Sequence, residues 1–142
     1  MFNLKIEKSM RRLFYLSFVM VALFFSACSS NTPSKAMEKY LSELQDDDLE
    51  AFVDGMSFSD KLSDKEIERQ KAGYVALMSE KSSKELEKRG GIEDFEILSE
   101  EVNEKGDWAK VRFKIYFGDG GEEESTQVLV KKDGKWLMMA KK

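Results

Sequence analysis

Few side chains in this 142-residue chain are equipped for chemistry, and their types narrow what it can do. Histidine is absent, which removes His-based triads, His metal sites and the commonest general base. Cys28 is the single cysteine, so it can form neither an internal disulfide nor a cysteine-cluster zinc site. Tyr40, Tyr74 and Tyr116 carry hydroxyls of the kind that serve as oxyanion donors opposite a carboxylate base. Tyr40 and Tyr74 fall on apolar helix faces at core spacing, so a packed ring with a bonded hydroxyl is the expectation there. No carboxylate falls at a clearly inward position on the second or fourth of the expected strands, and no base is nominated. Asp46-Asp47-Asp48, and Asp119 with Glu122 to Glu124, offer oxygens that calcium takes, but the EF-hand loop spacing is missing and solvated turns are expected. No metal and no cofactor are expected.

One surface stands out among these groups. Trp108, Lys110, Arg112, Lys114 and Tyr116 alternate along one strand, and aromatic rings flanking cations suit sugars, anionic glycans or lipid headgroups. Cross-strand pairing with Glu96 and Glu100 is another use for the same cations. A homodimer interface through the sheet is a third.

The start of the chain decides where that surface would work. Lys5, Lys8, Arg11 and Arg12 precede the uncharged run Leu13 to Ala27. At 1.5 Å per residue that run spans about 22 Å, short of a hydrocarbon core of roughly 30 Å. A basic start, a short apolar run and small residues before a cut describe a secretory signal peptide. Phe25-Ser26-Ala27-Cys28 resembles the lipobox of bacterial lipoproteins, usually Leu-Ala-Gly/Ala-Cys, with Phe25 departing from the commoner Leu. The resemblance implies that Cys28 receives a diacylglycerol and becomes the mature N-terminus. Two or three acyl chains anchor stably, because each buried methylene contributes about 0.8 kcal/mol and one chain alone is marginal. Ser29, where an Asp resembles an inner-membrane retention signal, implies the outer membrane. Residues 1–27 are therefore read as the lipoprotein signal peptide, 28–31 as a lipidated tether reaching about 15 Å, and 32–142 as one domain.

Charge excludes another class. Lys and Arg number 23 against 27 Asp and Glu, a net of −4, and removal of the basic leader makes the chain more acidic. A net negative exported domain is a poor nucleic-acid binder, so no nucleic-acid partner is expected. The mature chain is acidic up to residue 107 and basic from Trp108 onward. Solvated Glu-rich helices and Lys-rich strands account for this, and a basic sheet face meeting an anionic ligand is the functional version.

The positioning elements follow from capping and period. Thr32-Pro33 opens a first helix whose face is Met37, Tyr40, Leu41 and Leu44. Asp46-Asp47-Asp48 turns into a short second helix carrying Leu49, Phe52, Val53 and Met56. Ser63 and Glu66 have the capping-box spacing of a third helix, with Ile67, Tyr74, Leu77 and Met78 on its buried face. Ser82-Ser83 loosens that helix, and Gly90-Gly91 ends it. The period then shortens to two. Phe95 and Ile97 mark a first strand. A second places Ala109, Val111, Phe113, Ile115 and Phe117 opposite the Trp108–Tyr116 stripe. A third carries Thr126, Val128 and Val130 inward, and a fourth Trp136, Met138 and Ala140. Gly118-Asp119-Gly120-Gly121 and Lys132-Asp133-Gly134 are the hairpin turns. Three helices followed by an antiparallel meander of about four strands is an α+β order, with the helices on one face of a curved sheet.

That order, with Thr32-Pro33, Asp46 to Asp48, Gly90-Gly91 and Lys132 to Trp136 as its marks, resembles small bacterial lipoproteins with a nuclear transport factor 2-like domain. The resemblance covers about residues 32–140 and implies a cystatin-like cone, a bent sheet around the helices with a pocket at its open end. Members of the wider superfamily include isomerases, dehydratases, transport factors and plain binding modules, so the fold alone does not settle the function. The function expected is a non-catalytic binding or interaction module at the outer membrane, held by acyl chains on Cys28. Its partner would be an envelope protein, a glycan or a small apolar ligand, in the cone or on the sheet face. The alternative is a small isomerase- or dehydratase-like enzyme using the cone as its active site.

Overall fold

The computed structural model describes residues 31–140. The leader 1–27, Cys28 and the tether up to residue 30 lie outside the described residues. Helix α1 (Pro33–Gln45) begins at the expected cap, where the Thr32 hydroxyl accepts from the Lys35 amide at 3.2 Å. Met37, Tyr40 and Leu41 are buried on its inner face. The carboxylate of Asp48 accepts from the Ala51 amide at 3.3 Å and caps α2 (Leu49–Asp54). Met56 leaves the helical pattern: it sits in a two-residue strand, β1 (Met56–Ser57). Ser63 and Glu66 form the reciprocal capping box of α3 (Asp64–Glu80), at 3.2 and 3.1 Å.

The third helix differs from expectation. It breaks at Lys81, so α4 (Ser82–Lys88) is a separate helix and, among the described residues, four helices replace three. The hydroxyl of Ser83 donates to Asp47 Oδ1 at 2.8 Å, tying the break to the corner between α1 and α2. No residue of α3 is buried: Ile67, Tyr74 and Met78 are half-buried, and Leu77 is 50% exposed. The physical reason is layering. Helix α1 occupies the sheet face, and α3 packs mainly on α2 and α4 outside it, with Lys71 reaching Asp54 at 3.2 Å. No helix among the described residues is long and apolar enough to cross a membrane.

The sheet has five strands rather than four. They are β1, β2 (Ile92–Val102), β3 (Trp108–Phe117), β4 (Glu122–Lys132) and β5 (Lys135–Met139), ordered β1-β5-β4-β3-β2. Strand β1 lies parallel to β5, with Met56 opposite Met138, and every other pairing is antiparallel. Two residues are too few for alternation to announce a strand. Asp133 and Gly134, at φ 50° and 78°, make the two-residue turn between β4 and β5, the chemistry that Asp-Gly supplies.

Met37, Tyr40 and Leu41 pack into a core with Ile97, Ala109, Val111, Phe113, Leu129, Trp136 and Met138. The concave face is therefore occupied by side chains where a cone would offer its pocket. The face of β4 also differs from expectation. Leu129 points inward, fully buried opposite Ala109, while Thr126, Val128 and Val130 face outward in register with Arg112, Lys110 and Trp108. The strand is apolar on both sides near its end, and the longer Leu fills the space above the small Ala.

Candidate functional site

The structure puts Trp108, Lys110, Arg112, Lys114 and Tyr116 on one outer sheet face, with Ala109, Val111, Phe113 and Phe117 buried behind them. Much of the stripe is committed within the fold. Arg112 Nη2 meets Glu124 Oε2 at 2.8 Å, and Lys114 Nζ meets Glu122 Oε2 at 3.3 Å. The Tyr116 hydroxyl donates to Glu96 Oε1 at 2.6 Å. Lys114 Nζ lies 5.7 Å from the Tyr116 ring, and Lys110 Nζ 5.5 Å from the Trp108 ring. Glu96 stands opposite Lys114 and Glu101 opposite Lys110. The face is thus mixed in charge rather than basic, because acidic neighbours on β2 and β4 meet the cations of β3. Glu100 does not join the stripe. Its carboxylate accepts from the Ser34 amide at 2.8 Å and the Ser34 hydroxyl at 2.9 Å. This is the first turn of α1, where the helix dipole favours an anion.

The Trp108 end of the stripe is different. There an open groove of about 1130 Å³ runs over the outer face, lined by Phe58, Trp108, Val128, Val130, Met139 and Lys132 among others. Trp108, Val128 and Val130 are half-buried and Met139 is 45% exposed. The loop before β3 holds Trp108 in place. Asn103 Oδ1 accepts from the amides of Asp107 and Trp108 at 3.0 and 3.1 Å, and the Asn103 amide donates to the Trp108 carbonyl at 2.9 Å. Lys132 closes the far wall, its ammonium bonded to the Phe58 carbonyl at 2.9 Å and to Asp60 at 3.2 Å. Val128, Val130 and Met139 were missed by sequence reasoning because Val128 and Val130 were assigned inward. The register of Val130 against an outward Trp108 is the signal that finds them.

Packing places two of the tyrosines considered as oxyanion donors, Tyr40 and Tyr74. Tyr40 is buried and its hydroxyl donates to the Trp136 carbonyl; burial, with Glu43 adding to it, pushes its pKa up. Tyr74 stacks obliquely on Phe58 at 6.0 Å between ring centres. Glu43 has its pKa raised by burial, opposed by Lys39 at 3.7 Å. Asp47 and Asp48 serve the α1–α2 corner as described above, and among the described residues no group of three or more side chains is placed to hold a metal ion.

Residues 26–139 match the family described as a domain of unknown function (DUF4878), and the chain belongs to that family. No curated protein matches the chain. Its fold is similar to a crystal structure from Campylobacter jejuni named as a candidate NTF2-like transpeptidase. The two chains are 25% identical with a TM-score of 0.65, over 78% of this chain and 100% of that one. A SEC-C motif containing protein from Rhodopseudomonas palustris, known from a solution structure, aligns at 16% identity and a TM-score of 0.47. That alignment covers 80% of this chain and 81% of that one. The chain therefore carries an NTF2-like α+β domain.

Proposed function

We propose that this member of the DUF4878 family is an exported lipoprotein, anchored through acyl chains on Cys28, whose NTF2-like domain is a non-catalytic binding module. The outer membrane implied by Ser29 is part of the same reading. The observation that carries the binding role is the outer-face groove. Two aromatic rings, Phe58 and Trp108, line it with Val128, Val130 and Met139, and hydrogen bonds to Asn103 hold its Trp108 strand in place. Small-ligand sites combine apolar walls with convergent polar groups, and here Asn103, Asp107, Thr126, Gln127 and Lys132 stand among the apolar side chains. The filled concave face turns this reading away from a ligand in the cone and toward the groove.

Acyl transfer, the chemistry in the name of the Campylobacter chain, would need a nucleophile with a base in hydrogen-bond reach. The hydroxyls beside the groove are Ser57, Ser59 and Thr126, and Lys132 on the same wall is paired with Asp60 at 3.2 Å. The groove therefore favours binding over acyl transfer.

Two measurements test it. Labelled palmitate should enter the wild-type chain and not Cys28→Ser, which should accumulate as precursor; equal labelling would sink the anchor. Native mass spectrometry of gently extracted protein should show a retained small molecule that Trp108→Ala loses. Wild type and variant both empty at equal folded yield would count against a ligand-binding groove.

A further inference from the structure

The groove and the start of the domain lie at the same end of the sheet. The side-chain amide of Asn31 donates to the carbonyl of Gly134, in the turn between β4 and β5. That turn adjoins the loop between β2 and β3, since the Lys131 amide donates to the Asp107 carbonyl at 2.9 Å. Both segments form groove walls, through Asn103 and Lys105 on one side and Lys131 and Lys132 on the other. Cys28 precedes Asn31 by three positions in the sequence, a distance of at most about 11 Å of extended chain. An anchor at Cys28 therefore holds this end, and not the other, against the bilayer.

The two ends differ in charge. Helix α1 leaves the Gly134 end and finishes where Gln45 donates to the carbonyls of Ile92 and Glu93. Around that far end stand Asp46, Asp47, Asp48, Asp119, Glu122 and Glu123, with Arg89 spent on Asp119 and Glu123. The anchored end carries Lys105, Lys131, Lys132 and Lys135, and two more lysines follow Ala140 in the sequence. Glu104, Asp107, Asp133 and Asp60, the last bonded to Lys132, share that end, so charge there is mixed. What distinguishes it is lysine together with Trp108, Val130 and Met139 in one open groove. Indole rings and long lysine stems are the side chains that settle between headgroup and acyl chain.

We propose that the groove end is a membrane-docking surface whose partner is anionic phospholipid. Trp108, Val130 and Met139 enter the headgroup boundary, and Lys105 and Lys135 meet the phosphates. The acidic end is then held outward, away from a surface that repels it. The proposal rests on the Cys28 anchor and names the partner of the same groove.

The test uses the lipidated full chain on vesicles of phosphatidylethanolamine and phosphatidylglycerol with brominated acyl chains. The chain has two tryptophans, and Trp136 is enclosed in the core, so the bromine quenching lost in Trp108→Phe reports Trp108 alone. Strong quenching of wild type that Trp108→Phe abolishes supports the proposal. A several-fold reduction in the Lys105→Glu, Lys135→Glu double variant supports the lysine contacts. Wild-type protein that floats with the vesicles yet is not quenched overturns docking while leaving the anchor intact. Protein that fails to float overturns the anchor, and the proposal with it. Equal quenching on phosphatidylcholine overturns the anionic preference. Trp108 emission that shifts with protein density without quenching overturns the proposal in favour of a second copy of the chain.

Discussion

Glu43 sits in the half-buried layer of α1 with one carboxylate oxygen, Oε2, lacking a hydrogen-bond partner. Burial raises its pKa against the pull of Lys39. The folded value then exceeds the unfolded one, so the native state holds the proton more tightly. This group's contribution is most favourable at low pH and is lost as pH rises from the ordinary carboxylate value through the raised one. Glu43→Gln removes the charge that burial disfavours. It should stabilise the fold at neutral pH by about 1 kcal/mol, the size of one unsatisfied buried group, and do little well below the ordinary value. Urea midpoints at both pH values check this; a destabilised variant at neutral pH would mean that the ion pair with Lys39 outweighs desolvation. Trp136 is the opposite case, 4% exposed with its carbonyl bonded to Tyr40. Trp136→Ala should cost about 3–5 kcal/mol, and an unchanged midpoint would contradict its place in the core. Changing Lys110, Arg112 and Lys114 together to Gln removes the surface ion pairs Arg112–Glu124 and Lys114–Glu122, each worth about 0–1 kcal/mol. The thermal midpoint should hardly move.

Strands and helices in this fold are fastened where backbones touch. The end of α4 meets the β3–β4 hairpin through glycines: the Gly118 amide donates to the Gly91 carbonyl at 3.0 Å, and the Asp119 amide to the Arg89 carbonyl at 2.8 Å. A Cβ on Gly118 would lie 2.3 Å from the Gly90 oxygen. Gly118→Ala should therefore push the two segments apart at a cost of about 1–3 kcal/mol, read as a lowered denaturation midpoint. The same change at Gly73, which meets nothing within 4 Å, is the control and should be neutral or stabilising in a helix. Equal effects at both sites would remove the close approach as the cause. In the sequence, Gly90-Gly91 reads as a helix end and Gly118 to Gly121 as a turn, and both are so. That the two meet is a tertiary fact that neither local pattern encodes. The same limit explains β4. Gln127-Leu129-Lys131 and Thr126-Val128-Val130 are both plausible inner faces, and only the pairing of Leu129 with Ala109 decides between them. The groove was hidden behind that choice, whereas the β3 stripe, with a strongly apolar opposite face, was legible. The helix N-caps at Thr32, Asp48 and Ser63 were legible too, because their hydrogen bonds are satisfied within four residues.

At the scale of the molecule the layers are unequal. Helix α1 shares one core with β2, β3, β4 and β5, and its apolar side chains fill the concave face. Helices α3 and α4 form an outer layer that contributes no buried residue. It is held by α2, by the Ser83–Asp47 bond, by Lys71 on Asp54 and by the Arg89 end. Few buried apolar contacts are the physical condition for local opening below the free energy of global unfolding. Residues 64–88 should therefore exchange their amide hydrogens by a sub-global opening, while the amides of β3 and β4 wait for global unfolding. A denaturant series separates the two: protection in the outer layer should be lower and fall with a shallow slope, since little surface is exposed when that layer lifts. Val111→Ala weakens the sheet core, which stays formed when the outer layer lifts, so it should lower protection in β3 and β4 while leaving residues 64–88 almost unchanged. If both regions lost protection together, α3 and α4 would belong to the same cooperative unit as the sheet. The break at Lys81 would then be a bend within that unit and not the hinge of a separate one.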